Sequence, residues 1–276
     1  MGYLTAAAGP ASTDVAARSG DPATLIDTSP GAWEGGPDGI LVLHGFTGSP
    51  HSVRPWAESL AAAGYAVELP LLPGHGTSAE DLAGRGWREW TEAVDAAYWR
   101  LRGRADRVGV AGLSMGGALA LHLAARRPVA AVSLVNPGVV SPTPLLSVAR
   151  LLAAAVPTVG GVGDDISLPG RREGAYERTP VRAAGELHRL FRAARRTLPA
   201  VTAPVQIFKS LVDHVVPQDS LDHLVRRLGR TPEVLELHKS FHVATLDRDA
   251  PLIFENSLRF FSHEGLRAGD PESPGR

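Results

Sequence analysis

Val108-Gly109-Val110-Ala111-Gly112-Leu113-Ser114-Met115-Gly116-Gly117 decides the architecture of this chain. A short apolar, β-branched run leads to a serine with glycines two positions to either side. A helical run, Ala118 to Ala125, follows at once and is stopped by Pro128. Strand, tight serine turn and helix together make a nucleophile elbow, in which the serine Oγ is lifted clear of the sheet. Gly112 and Gly116 have a steric reason there, because strand and helix pack too closely for Cβ atoms. Read alone, in a chain with 30 glycines, the stretch also fits a plain glycine-rich turn.

Working outward, Ile40 to Leu43 is a continuous apolar run, the pattern of a parallel strand buried on both faces. It enters the loop His44-Gly45-Phe46-Thr47-Gly48-Ser49-Pro50. A helix follows from about Ser52, burying Val53, Trp56, Leu60 and Ala63, with Gly64 at its C-terminal cap. Tyr65 to Leu69 is the next strand, and Trp87 to Arg102 is a helix on the spacing of Trp87, Trp90, Val94, Ala97 and Leu101. Downstream of the elbow, Ala130 to Val135, Val205 to Phe208 and Glu233 to Leu237 read as strands, with helices at Ser220 to Leu228 and Pro251 to His263. Strands alternating with helices, without two-residue hairpins, predict a mostly parallel α/β sheet with right-handed crossovers.

This core spans residues 37–137 and 204–264. Residues 138–203 interrupt the alternation and read as a cap insertion, with an apolar helical segment at Leu145 to Val156 and an arginine-rich amphipathic stretch through Leu187, Leu190, Phe191 and Ala194. Residues 1–36 read as a flexible N-terminal extension with a short edge strand at Ala23 to Ile26, and residues 265–276 as a disordered tail.

At 276 residues and 44% hydrophobic content the chain can bury a large core. A net charge of −1 offers no electrostatic case for binding nucleic acid. Lysine occurs only at positions 209 and 239, and cysteine is absent, which excludes disulfides and thiol catalysis. The ten histidines show no metal-ligand spacing, so neither a metal nor a cofactor is expected. No secretory signal or stretch of membrane-spanning length is legible, since Arg150 and Pro157 break the longest apolar run. No stable membrane insertion and a cytoplasmic location are therefore expected.

A serine hydroxyl is a weak nucleophile at neutral pH and needs a base, which in turn needs an acid to set its tautomer. For a serine on an elbow the chain order is serine, acid, histidine, each at the C-terminal end of a strand. Asp213 follows the Val205 strand and His242 follows the Glu233 strand, so Ser114, Asp213 and His242 are the candidate catalytic residues. Asp219 and Asp222 fall in the next helix, His214 and His223 come too early, His238 sits too close to the sheet, and Asp247 and Asp249 come after the histidine. Two backbone N–H groups are expected to form the oxyanion hole, those of Met115 at a helix N-terminus and of Phe46 in the first loop. His44 and His75 are expected to brace loops.

Five segments carry a family resemblance: His44 to Gly48, Pro73-Gly74-His75-Gly76, Gly112 to Gly117, Asp213 with Val216-Pro217, and Ser240 to Asp247. Together they resemble the α/β-hydrolases, and among these the bacterial carboxylesterase and monoacylglycerol lipase group, over about Gly39 to Phe261. The resemblance implies the same triad and oxyanion residues, and a small cap that forms an acyl channel. One departure is Phe241, where members of the group often carry glycine before the histidine; a ring there is expected to narrow the pocket or shift the loop. The implied activity is hydrolysis of carboxylic esters, with short- or medium-chain acyl esters or monoacylglycerols as small-molecule partners. Thioesterase, amidase or acyltransferase chemistry fits the same triad, and a non-catalytic binding protein on this scaffold is the remaining alternative. Oligomeric state is not legible.

Overall fold

Continuous apolar strands can be buried on both faces only if helices cover both sides of one sheet, and the chain is built that way. In the computed structural model, residues 26–141, 149, 153, 155–161 and 163–269 are described. The main sheet comprises β1 (Gly31–Trp33), β2 (Asp38–Leu43), β3 (Ala66–Leu69), β4 (Arg107–Leu113), β5 (Val132–Val135), β8 (Val205–Ser210) and β9 (Glu233–Leu237). Their spatial order is β1-β3-β2-β4-β5-β8-β9, parallel throughout except where β1 runs antiparallel to β3. A separate antiparallel pair, β6 (Thr158–Gly160) with β7 (Arg178–Pro180), lies within the interrupting segment.

Alternate residues of each strand feed opposite cores. Leu41, Leu43, Val108, Val110, Val132 and Leu134 pack under α3 (Trp87–Arg102), α4 (Met115–Ala124) and α5 (Val181–Thr197). Ile40, Val42, Ala111, Leu113 and Phe208 pack under α1 (Arg54–Ala62) and α7 (Ala250–His263). Every residue of α4 is buried, which explains its lack of a polar face. The short α2 (Ala79–Gly84) is capped by Ser78, whose side chain accepts the Asp81 N–H, and α6 (Asp219–Arg227) links β8 to β9.

The ends of the chain differ from expectation. Ala23 to Ile26 lies almost wholly outside the described residues, and the edge strand forms instead at Gly31–Trp33, inside the stretch read as an extension. Residues 265–269 are not loose, because Leu266 is buried and the Gly269 N–H donates to Gly64 O at 2.8 Å. Asp38 and Arg267 also exchange hydrogen bonds at the base of β2. Three-residue pairings and terminal turns are too short to show a period, so only tertiary partners reveal them. The Leu145 to Val156 segment falls largely outside the described residues. Among the described residues, no helix is long and apolar enough to cross a membrane.

Because β2, β4, β5, β8 and β9 are parallel, the loops after all five emerge on one edge of the sheet, with the order reversing beside β2 and β4. Crevices of this kind are where open α/β sheets bind ligands. The elbow depends on close packing at that edge. A Cβ on Gly116 would sit 2.2 Å from Leu43 O and 2.8 Å from His44 O, both backbone atoms that cannot swing away. Gly116→Ala should cost at least about 2 kcal/mol by urea denaturation, whereas Gly84→Ala, with nothing within 4 Å, should cost nothing.

Candidate active site

Ser114 stands between the last residue of β4 and the first of α4, at φ 55° and ψ −114°, a conformation L residues rarely adopt. Such strain persists only where the surroundings over-determine it. Here the Ser114 N–H donates to Val135 O at 2.9 Å, while its carbonyl accepts from Gly117, Ala118 and Gly138. The turn presents Ser114 to a largely apolar cavity of about 220 Å³ that is also lined by Phe46, Glu173 and His242. Val140, Leu187, Phe191, Val215 and Val216 supply part of its apolar wall.

The other two candidate residues meet on the same edge. His242 Nδ1 lies 3.0 Å from Asp213 Oδ1. Asp213 Oδ1 also accepts the N–H groups of Val215 (3.0 Å) and Val216 (2.9 Å), and Oδ2 accepts from Lys209 Nζ at 2.6 Å. Burial alone would raise the Asp213 carboxyl. The hydrogen bond and charge of His242, with those of Lys209, outweigh it and hold the carboxyl well below the usual range. An ionised Asp213 only accepts, so Nδ1 of His242 is the donor and Nε2 is left with a free lone pair. Among the described residues, Ser114 Oγ makes no hydrogen bond to His242. Catalytic hydrogen bonds of this type are often long until substrate is bound.

Of the two residues expected to supply the oxyanion donors, Phe46 lines the cavity and Met115 directly follows Ser114. Met115 opens α4, and neither its N–H nor that of Phe46 has a protein acceptor among the described residues. The Gly45 loop lies beside the serine turn, a Cβ on Gly45 falling 3.6 Å from Ser114 Cβ. His44 braces the first loop: its Nδ1–H donates to Gly45 O at 2.9 Å and its Nε2 accepts the Leu72 N–H. Burial drives its ring down to about 3, so it stays neutral. His75 stacks edge-on against it, is lowered to about 4 by burial, and bonds Pro73 O.

Several residues that hold the site had no sequence signal. Asn136, at φ 45°, donates through Nδ2 to His242 O (2.8 Å) and Ser210 Oγ (2.9 Å) and accepts the Ser210 N–H, tying the ends of β5 and β8 to the histidine loop. Asp165 Oδ2 accepts the backbone N–H groups of His242 (3.1 Å) and His214 (3.2 Å). Phe241 does not line the cavity. Its ring packs edge-on against His214, and its N–H is held by Asp247 at 2.9 Å, so the expected narrowing of the pocket does not occur. Glu173 is buried in the cavity wall with Oε1 about 4.0 Å from the place of a Gly45 Cβ.

These features define an α/β-hydrolase with a serine elbow and a histidine–aspartate pair. The chain belongs to the family described as serine aminopeptidase, S33, whose profile matches residues 37–249. It is 40% identical over 236 residues to the thermostable monoacylglycerol lipase of Bacillus sp. (strain H-257), covering 84% of this chain and 94% of that protein. It is 24% identical to a carboxylesterase of Bacillus subtilis (strain 168), covering 86% and 97%. A solved structure described under LipS and LipT, two metagenome-derived lipolytic enzymes, superposes with a TM-score of 0.83 at 39% identity, covering 86% of this chain and 98% of that one.

Burial pushes the Glu173 carboxyl from 4.5 up to about 7, against the pull of His242. Between those values the folded protein holds a proton that the unfolded chain has released. Stability from this group is therefore lost as pH rises through the window, by about 3 kcal/mol. Glu173→Gln should leave the melting temperature unchanged near pH 4.5 and raise it at pH 8, measured by thermal denaturation.

Proposed function

We propose that this protein hydrolyses carboxylic esters, monoacylglycerols foremost, through an acyl-enzyme on Ser114. The chain is a carboxylic ester hydrolase on the strength of its relatives; what is proposed is the substrate and the residues that do the work. The carrying observation is that Ser114, His242 and the loop of Phe46 line one apolar cavity while Asp213 holds His242 from behind.

In this reading His242 Nε2 takes the Ser114 proton as Oγ attacks the ester carbonyl. The developing oxyanion is held by the N–H groups of Phe46 and Met115, in an apolar setting where such bonds are strong. His242 then gives its proton to the leaving alcohol, and a water, activated by the same nitrogen, releases the acid. Asp213 stabilises the imidazolium formed in both steps. The apolar wall of Leu187, Phe191, Val215 and Val216 suits an acyl chain, with residues 138–203 acting as the cap.

Glu173 supports the monoacylglycerol reading over a plain alkyl ester. Among the described residues it is the acidic side chain of the cavity wall, and near neutral pH it can donate or accept a hydrogen bond. A hydroxylated leaving group such as glycerol would satisfy it, whereas an alkyl alcohol would leave it unpaired at a cost. The proposed setting is the cytoplasm, with small esters as partners.

Ser114→Ala should lower kcat by at least about 10³-fold on p-nitrophenyl esters and abolish labelling by a fluorophosphonate. Full activity in that variant would defeat the assignment. On a panel sharing one acyl chain, the monoacylglycerol should exceed the ethyl ester, the thioester and the amide in kcat/KM. Glu173→Ala should narrow the first of those gaps.

A further inference from the structure

Lys209 is placed where the sequence gives no reason for it. β8 is an interior strand, flanked by β5 and β9 and buried along its whole length, yet it carries an ammonium group near its C-terminal end. The Lys209 side chain is 8% exposed and its partner Asp213 2% exposed, with Nζ 2.6 Å from Asp213 Oδ2. Nζ also donates to Val216 O at 3.1 Å, which pins the loop between Asp213 and the cavity wall. In a chain that otherwise uses arginine almost exclusively, one of only two lysines occupies this point. A compact ammonium suits a buried strand end, where a planar guanidinium fork would need more room.

Such a pair is not explained by stability. Burying two charges costs about as much as their attraction returns, and apolar replacements of similar volume are often neutral or stabilising. A carboxylate needing only orientation has that already from the Val215 and Val216 N–H groups on Oδ1. The oxygen that Lys209 holds is the one turned away from His242. What the ammonium adds is charge.

We propose that Lys209 is an electrostatic positioning residue for the hydrolytic reaction, which neutralises Asp213 and thereby keeps His242 competent as a base into mildly acidic solution. Asp213 alone favours the imidazolium form of His242, and an imidazolium cannot accept the Ser114 proton. A positive charge on the far oxygen of Asp213 offsets that preference. Among the described residues, the charged or titratable groups around His242 are Asp213 after β8, Lys209 behind it on β8, Glu173 and Asp165 from the segment between β6 and β7, and His214, which pairs with Asp165 at 2.7 Å. Of these, Lys209 is the one that bonds the far oxygen of Asp213. The inference rests on Ser114, Asp213 and His242 being the catalytic set.

The test is the kcat/KM–pH profile of Lys209→Met and Lys209→Gln, in the natural chain and in a Glu173→Gln background that removes the other group titrating in this range. Met keeps the buried stem without charge, and Gln keeps a hydrogen-bond donor without charge. Both should move the acidic limb to higher pH by about one unit, so that activity at pH 5.5 falls about tenfold relative to the plateau. The Nδ1–H resonance of His242 should pass from its imidazolium to its neutral-ring chemical shift at correspondingly higher pH in both variants. A lower plateau with the limb unmoved in both variants would reduce Lys209 to a structural strut and overturn the inference. So would a Gln variant that matches the natural chain at every pH, since the hydrogen bond alone would then suffice. Should Met fail to fold, Gln decides by the same two outcomes. Activity retained in Ser114→Ala would instead remove the catalytic set on which the inference stands.

Discussion

The packing of α4 against the C-terminal ends of β2 and β4 is the constraint on which the rest of the site depends. The carbonyls of Leu43 and His44 approach Gly116 so closely that no side chain fits there, and Gly112 in turn faces the Gly116 backbone. That closeness forces Ser114 to φ 55°, at a cost of about 1–3 kcal/mol, which the hydrogen bonds to Val135, Gly117 and Gly138 sustain. It also keeps the loop of Gly45 and Phe46 beside the Ser114 turn, where a Cβ on Gly45 would lie 3.6 Å from Ser114 Cβ. Loosening the contact would let the serine relax and would move that loop away from it.

Around this fixed turn, polar bonds rather than apolar packing position the remaining groups. Past the end of a parallel strand the ladder runs out of partners, and each exposed N–H and C=O must be satisfied by something else. Asn136 does this for the Phe241–His242 carbonyls and Ser210, and Asp165 for the N–H groups of His214 and His242. Asp247 holds the Phe241 N–H and Ser167 together. The histidine ring is thus carried by a loop whose backbone is fastened from β5, from β8 and from the segment after β6.

Much of this was legible before any coordinates. Short, largely apolar runs marked β2, β4, β5 and β8. Parallel alternation then required the loops after them to share an edge, which singled out Ser114, Asp213 and His242 among ten histidines and many acids. The missing parts share one cause, that their meaning lies in contacts far apart in sequence. Gly31–Trp33 is a strand only because β3 offers it an edge, and Leu266 is core only because Tyr65 and α7 surround it. Phe241 was expected to narrow the pocket or shift the loop. Its orientation depends on Asp247 and His214, which no local pattern couples to it.

By itself the sequence determined the α/β class, the elbow and the chain order of the candidate serine, aspartate and histidine, because these follow from hydrophobic periodicity, glycine sterics and the direction of parallel strands. Only the tertiary structure decided that a glutamate from the interrupting segment enters the cavity wall and that a lysine backs the aspartate. Both are charges taken out of water, and whether a charged residue is solvated or buried beside a partner depends on what the fold packs against it. The spacing of residues along the chain does not contain that information.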